Sequence, residues 1–290
     1  SVNRVIFGAE YLSKSLFVKY KKNIPVVINE YGPTETTITS IVSINSNTLN
    51  NSNIQNTKVY VLDISGLPVP IGVKGELHIG GEGLARGYLN NSELTRASFV
   101  ENAFATEEDK VRGHTRLYRT GDLVRWLADG NLQYLGRNDD QVKIRGYRIE
   151  LLEVELALTR IQGIKQSCVI ARERQKGNSY SKYIVGYYTI ENHVGTLSED
   201  IILERLSAIL PKYMIPSVLV AMEALPITLN GKLNRRALPK PEFNFSNKYE
   251  APTTKIEKTL CKIWQEVLGL ERGGITDEFF RIGGNSILAI

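Results

Sequence analysis

Cysteine is nearly absent from this 290-residue sequence, which has only Cys168 and Cys261. They stand far apart and form no C-x-x-C pair. That excludes a disulfide framework and fits a reducing, cytoplasmic compartment. Histidine is also scarce (His78, His114 and His193), and no spacing among the three suggests a metal cluster. No apolar stretch approaches the roughly 20 residues of a membrane span. No G-x-x-x-x-G-K-[ST] sequence occurs, and "GGEGLARG" is glycine-rich without being G-x-G-x-x-G. A phosphate cradle is therefore not evident, and the stretch reads better as turn and strand packing. The opening "SVNRVIFGAEYL" has no signal-peptide pattern and already reads as a buried strand and turn, so the sequence is expected to begin within a domain.

What is present belongs to a soluble globular protein, 42% hydrophobic and 23% charged. The length allows two domains or one large one. The net charge is +5, from 36 basic and 31 acidic residues. The Lys and Arg are interspersed with acids and build no long basic block, which argues against nucleic acid. Binding a phosphate-bearing small molecule accounts for the excess as well.

Along the chain, "IPVVINEY" reads as a short buried strand, and "KVYVLD" and "GELHIGG" alternate like strands. The asparagine-rich stretch from Asn45 to Thr57 reads as a loop. "LVRWLADGNLQYLGR" predicts a hairpin turning at Asp129-Gly130. From about Gln141 the pattern becomes a small α+β unit. "QVKIRG" is a strand, and Leu151, Val154, Leu158 and Ile161 share one helical face. "SCVIARE", "YIVGYYTI" and "SVLVAMEAL" are further strands. Ser198 is placed to cap a helix with Ile202, Leu206 and Ile209 facing inward. A Pro- and Asn-rich linker, "LPKPEFNFSNKYEAP", follows. One more helix opens on the capping-box pair Thr254 and Glu257, with Ile256, Leu260, Ile263, Val267 and Leu268 as its buried stripe and Gly269 as its stop.

Several short motifs could carry chemistry. In "NEYGPTETT" a strand ends, Gly32-Pro33 turns the chain, and hydroxyl and carboxylate groups follow. A hard cation such as Mg²⁺ takes one or two protein oxygens and leaves the rest to phosphates and water. Glu35 suits that role, and Tyr31 offers a face for stacking a base. A plain Gly-Pro turn would look the same. "LYRTGDLVRW" presents Asp122 after a glycine turn, where a carboxylate can accept from two ribose hydroxyls or simply close the turn. "PITLNGKL" puts Lys232 on an Asn-Gly turn, either as a solvated tip or as a mobile cation for a carboxylate and a phosphate.

Singly these segments are weak, but their order is specific. "YGPTE", "GELHIGGEGLARGYLN", "YRTGD", "GRNDDQVKIRGYRIE", "LPKYMIP" and "NGKLNRRALP" run in the order of nonribosomal peptide synthetase adenylation domains, which the whole chain resembles. The final "DEFFRIGGNS" resembles the attachment site of a peptidyl carrier domain. The resemblance implies α/β and α+β architecture in an adenylate-forming enzyme. Residues 1–138 would be the end of its large subdomain and 139–240 its small mobile subdomain. Residues 241–252 would be a linker, and 253–290 the first half of a helical carrier.

The resemblance also implies roles. Asn29 and Tyr31 would contact adenine, Thr34 a phosphate, and Glu35 Mg²⁺. Asp122 and Arg137 would bind ribose, Asp139 would be the hinge, and Lys143 lies in the first strand beyond it. Lys232 would engage the substrate carboxylate and the α-phosphate of ATP. Ser286 would carry 4'-phosphopantetheine. Ile6, Gly8, Glu30, Ile38 and Thr39 would line the amino-acid pocket. Glu30, a carboxylate in need of a donor, points to a substrate with a donor side chain, an amide such as asparagine or a cation. Implied partners are a phosphopantetheinyl transferase and condensation and other synthetase domains, with no nucleic acid and no membrane. A coenzyme A ligase of the same superfamily and a non-catalytic scaffold segment are the alternatives.

There are departures. Leu152 stands where the family usually has glycine, and Asn234 where it has aspartate, which puts an acidic contact near the lysine loop in doubt. The family's phosphate loop and the aspartate that grips the substrate amino group precede "YGPTE" and are not in this sequence. The expectation is therefore a fragment of a longer synthetase, inactive alone.

Overall fold

A computed structural model describes residues 2–8, 12, 14–44, 46, 49, 54–144, 146–176, 179–191, 197–241, 249–268, 270, 272–277 and 279. The chain divides into two compact units, Ser1–Asp139 and Asp140–Ile290.

The first unit opens with β1 (Arg4–Phe7), α1 (Lys14–Lys21), β2 (Val26–Tyr31) and β3 (Ile41–Ile44). β2 pairs parallel with β1 and antiparallel with β3. A second sheet follows, from β4 (Thr57–Leu62), β5 (Gly75–Gly81), α2 (Ser92–Ser98), β6 (Phe99–Glu101), α3 (Glu107–Val111), β7 (Arg116–Trp126) and β8 (Leu132–Arg137). Its order is β4-β5-β7-β6, with β8 on β7. The alternation of apolar residues on these strands gives one buried layer of Ile41, Leu49, Val61, Leu77, Ile79, Val124 and Leu132, and Tyr31 and Tyr134 pack on it. The β7–β8 turn has Gly130 at φ 81°, the positive value that glycine adopts without a steric penalty. Much of the asparagine-rich stretch lies outside the described residues.

The second unit starts with the hairpin of β9 (Gln141–Ile144) and β10 (Tyr147–Glu150), then α4 (Leu151–Thr159). The sheet is β11 (Ile164–Lys176), β12 (Ser179–Ile190) and β13 (Val218–Ala221), and α5 (Glu199–Ser207) precedes β13. β12 runs antiparallel to β11 and parallel to β13. Leu151, Val154 and Leu158 of α4 and Ile202 and Leu206 of α5 are buried in one core with Ile149, Val169 and Leu219. The Ser198 side chain accepts from Ile201 N, closing the start of α5.

Two expected faces are corrected. Ile209 is 61% exposed, because α5 has ended at Ser207 and the following turn carries Leu210 inward instead. On α6 (Lys255–Leu268), Ile256, Leu260, Ile263 and Val267 are 73%, 48%, 47% and 40% exposed. The inward stripe is Cys261, Trp264 and Leu268, at helical spacing, with Leu270 and Phe279 against Leu268 and Trp264. The capping box does form: Thr254 N donates to Glu257 Oε2 (2.9 Å) and Glu257 N to Thr254 Oγ1 (3.2 Å). Gly269 and Ser286 lie outside the described residues.

Candidate adenylate-binding site

Asp122 sits on β7 opposite Arg137 on β8. The register makes them a cross-strand pair, so their side chains share a face. Arg137 Nη1 donates to Asp122 Oδ1 (2.7 Å), and the Tyr31 hydroxyl donates to Asp122 Oδ2. Asp122 N is held by Thr120 Oγ1 (3.0 Å), and the Thr120 hydroxyl is anchored on the Leu77 carbonyl (2.7 Å). Gly121 N donates to Glu76 Oε1 (3.2 Å), which fixes the turn from the β5 side. The carboxylate is buried. A carboxylate has about four acceptor sites; the Arg137 and Tyr31 bonds use two of them, and Tyr134 also hydrogen-bonds the group.

Arg137 also grips Asp139 with two bonds of 2.7 Å, from Nε and Nη2. Burial would lower the guanidinium pKa, but the hydrogen bonds to Asp139 and the Asp122 charge outweigh it, and Arg137 stays firmly protonated. Tyr31 is pushed well above the ordinary tyrosine value, first by burial and then by the Asp122 charge. Tyr134, facing the same carboxylate, is pushed up to about 12, again mainly by burial.

Glu35 lies in a short 3-10 turn, Thr34–Thr36, just past β2. It is buried and accepts from the Tyr88 hydroxyl at 2.7 Å. Its carbonyl accepts from Ala85 N (2.8 Å), and Thr37 Oγ1 donates to the Gly83 carbonyl (2.7 Å). The glycine-rich segment thus packs directly on the Thr34–Thr37 turn, and a Cβ on Gly83 would stand 3.0 Å from the Thr36 carbonyl. Gly32 is tighter still: a Cβ there would meet the Ile38 carbonyl and stand 2.7 Å from Ser40 N. Thr37 and Ile38 both have positive φ, 60° and 69°. That is an uncommon conformation for β-branched residues, of the kind that clusters at functional sites.

Asn29 is buried on β2, between Phe7 of β1 and Ser43 of β3. Ile6, Gly8 and Glu30 fall on one face of this sheet by register, and a Cβ on Gly8 would lie 4.0 Å from the Glu30 Cβ. Thr39 Oγ1 donates to Glu30 Oε2 (3.3 Å). Ile38 stands on the strained turn, 71% exposed. Thr34 heads that turn.

In the second unit Lys143 pairs with Arg148 across the β9–β10 hairpin. Lys232 is exposed in a tight turn, where Thr228 N donates to its carbonyl (2.7 Å) and Gly231 has φ 74°. Asn234 N donates to the Pro226 carbonyl (2.8 Å), so the residue replacing the family's aspartate has its backbone in the turn.

The residues present suit a Mg²⁺–nucleotide. Glu35 is a fixed carboxylate. Among the described residues no group of three or more His, Cys, Asp or Glu could hold a metal alone, so the cation would need phosphate oxygens as well. The sequence motifs gave no sign of Tyr88 and Glu76 as partners. Both lie inside quoted motifs, but nothing local marks a tyrosine or a glutamate for a partner about 50 residues away.

Comparison with known proteins agrees with this geometry. Residues 1–89 match the AMP-binding enzyme family, and residues 153–232 match the AMP-binding enzyme C-terminal domain. The class is therefore that of the adenylate-forming, AMP-binding enzymes. Within it, the chain is 44% identical over 291 residues to the dimodular nonribosomal peptide synthase of Bacillus subtilis (strain 168), covering 99% of this chain and 12% of that protein. It is 43% identical over 302 residues to gramicidin S synthase 1 of Brevibacillus brevis, covering 100% of this chain and 26% of that one. The solved structure of holo-PA1221, a nonribosomal peptide synthetase protein containing adenylation and PCP domains bound to a vinylsulfonamide inhibitor, is 31% identical. It has a TM-score of 0.70 and covers 99% of this chain and 47% of that one. The chain is similar to the adenylation domains of nonribosomal peptide synthetases, and it spans only a fraction of these relatives' lengths.

Proposed function

We propose that this chain is part of a synthetase module that activates an amino acid with ATP as aminoacyl-AMP and passes it to a phosphopantetheine thiol. The observation that carries this is the Asp122 carboxylate, buried and held by Tyr31 and Arg137, in a unit that also fixes Glu35.

In the first step an oxygen of the substrate carboxylate attacks the α-phosphorus of ATP, and pyrophosphate leaves. Asp122 accepts from the ribose hydroxyls, with Arg137 holding it in place. The Tyr31 ring and Asn29 border the adenine, and Thr34 contacts a phosphate. Bound through Glu35, Mg²⁺ would neutralise charge on the phosphates. Lys232 offsets the charge that develops between carboxylate and phosphorus.

In the second step the thiol sulfur attacks the acyl carbonyl, its proton is lost and AMP departs. Turning about Asp139 withdraws Lys232 between the steps, a recognised way to reorganise a site. Residues 253–290 begin the carrier, with Ser286 bearing the phosphopantetheine arm that a phosphopantetheinyl transferase installs. Condensation domains of the parent chain take up the product. Two unpaired, buried cysteines support a cytoplasmic setting, and no helix among the described residues is long and apolar enough to cross a membrane.

Glu30, with Thr39 donating to it and Gly8 leaving space beside it, favours a substrate whose side chain donates, such as asparagine. Ile6 and Ile38 supply apolar wall. The test is amino-acid-dependent ATP–pyrophosphate exchange by the full-length synthetase across a panel of amino acids. Exchange abolished in Lys232→Ala supports the activity, and a preference for amides or cations supports the Glu30 assignment. Preference for an aliphatic residue overturns that assignment, and absence of exchange with every amino acid overturns the activity.

A further inference from the structure

Two adjacent aspartates stand where the chain leaves its first unit, and each is held by an arginine of its own unit. Asp139 is gripped by Arg137. Asp140 accepts from Arg235 Nη1 at 2.5 Å, across 95 residues. Arg235 lies three residues beyond Lys232, on the chain leaving the lysine turn.

The segment bearing Lys232 is rooted on the second unit at both ends. Before the lysine, Leu225 packs against the buried cluster of Cys168, Val185 and Tyr187. After it, Leu238 is buried with Cys168, Val185 and Tyr187. The Leu238 and Pro239 carbonyls accept from Arg172 Nη2 (2.7 and 3.1 Å), and Pro239 also accepts from the Tyr187 hydroxyl (2.7 Å). Between these anchors, Arg235 faces the Cys168 thiol and the Glu155 carboxylate as well as Asp140. Arg235 makes its close ion pair with Asp140, Nη1 to Oδ1 at 2.5 Å, while Glu155 Oε2 accepts from Val169 N (2.9 Å).

We propose that Arg235 is a positioning residue for Lys232. By holding Asp140 it fixes the lysine turn to the first residue beyond the Asp139 hinge. Rotation is thereby confined to the Asp139–Asp140 junction, and Lys232 travels with the second unit as one body. This rests on the proposed roles of Lys232 and Asp139. The pair is 42% and 53% exposed, and such ion pairs add little to stability. Its effect therefore belongs in turnover, where a small misplacement of a catalytic group is costly.

The experiment compares Arg235→Ala, Asp140→Ala, the double variant and Arg235→Lys in the full-length synthetase. It measures ATP–pyrophosphate exchange and thermal unfolding. Each alanine variant is expected to lower kcat about tenfold, with KM for ATP and amino acid changed less than about twofold. The double variant should be no worse than the poorer single one, as for two residues acting through one contact. Arg235→Lys should recover much of the loss, and Tm should move by less than about 3 °C. An unchanged kcat, losses that multiply in the double variant, or a fall in Tm that Arg235→Lys does not repair would each overturn the proposal. If exchange requires Lys232 yet ignores Arg235, only this inference fails. If Lys232→Ala exchanges like the parent, the assigned role of Lys232 fails and takes this inference with it.

Discussion

The Tyr88 hydroxyl donates to Glu35 Oε1 at 2.7 Å, joining residues 53 positions apart. Burial and this bond hold the Tyr88 phenol protonated far above its ordinary range, so its proton stays available to Glu35. Tyr88 itself packs edge-on against Phe99. The carboxylate proposed for Mg²⁺ is thus aimed by an aromatic side chain from another motif. Tyr88→Phe removes a bond to a charged group, about 1.5 kcal/mol. A Mg²⁺ titration of pyrophosphate exchange should show a midpoint raised about tenfold. An unmoved midpoint would remove Tyr88 from the cation site.

Asp122 and Arg137 form a pair in which both side chains are nearly buried, at 8% and 12% exposure. Replacing Asp122 by Asn leaves the guanidinium with Asp139 alone and alters the proposed ribose site. Breaking a buried pair by removing one partner costs about 3 kcal/mol or more. Urea unfolding should register that loss, and KM for ATP should rise with it. A loss of stability below about 1 kcal/mol would mean that water already screens the pair.

Tyr31, Tyr88 and Tyr134 all have raised pKa values, each mainly through burial, and Tyr134 reaches about 12. In the unfolded chain phenols ionise near pH 10. There the unfolded state loses protons that the fold keeps, so stability is full below about pH 10 and falls as pH rises towards the folded values. Each tyrosine contributes a slope of about 1.4 kcal/mol per pH unit in that window. Denaturation between pH 9 and 12 should show a steep fall, and Tyr31→Phe should flatten it. An equal slope in that variant would deny Tyr31 its protonated role.

Gly32 sits against backbone on the strained turn, where a Cβ would press on the Ile38 carbonyl and Ser40 N. These atoms cannot rotate away, so Gly32→Ala must shift the turn, at about 1–3 kcal/mol. Glu35 and Thr34 would move with it. Exchange should fall far more than Tm does, which parallel kinetic and melting measurements on the variant would reveal. Full activity would show that the turn adapts.

Ser286 is tested by intact-mass spectrometry of the full-length synthetase after incubation with coenzyme A and a phosphopantetheinyl transferase. The expected outcome is a gain of one phosphopantetheine, lost in Ser286→Ala. No gain, with a folded carrier, would reduce Ser286 to a helix cap.

The sequence by itself determined what depends on neighbours along the chain. A short apolar run marked β2, and alternation marked β4 and β5. Asp129-Gly130 marked the β7–β8 turn, because its positive φ suits glycine. Helical spacing marked Leu151, Val154 and Leu158, and Ser198 and Thr254 marked helix starts through side-chain caps. Local pattern failed at Ile209, where the helix had already ended, and on α6, where the apolar residues outnumber the places that are buried. Tertiary structure alone decided which distant polar groups meet. Strand register set Asp122 opposite Arg137, packing brought Tyr31 to Asp122 and Tyr88 to Glu35, and chain path brought Arg235 to Asp140. A hydrogen bond acts over about 3 Å and leaves no periodic trace in sequence, so these partners became legible only once the chain was folded.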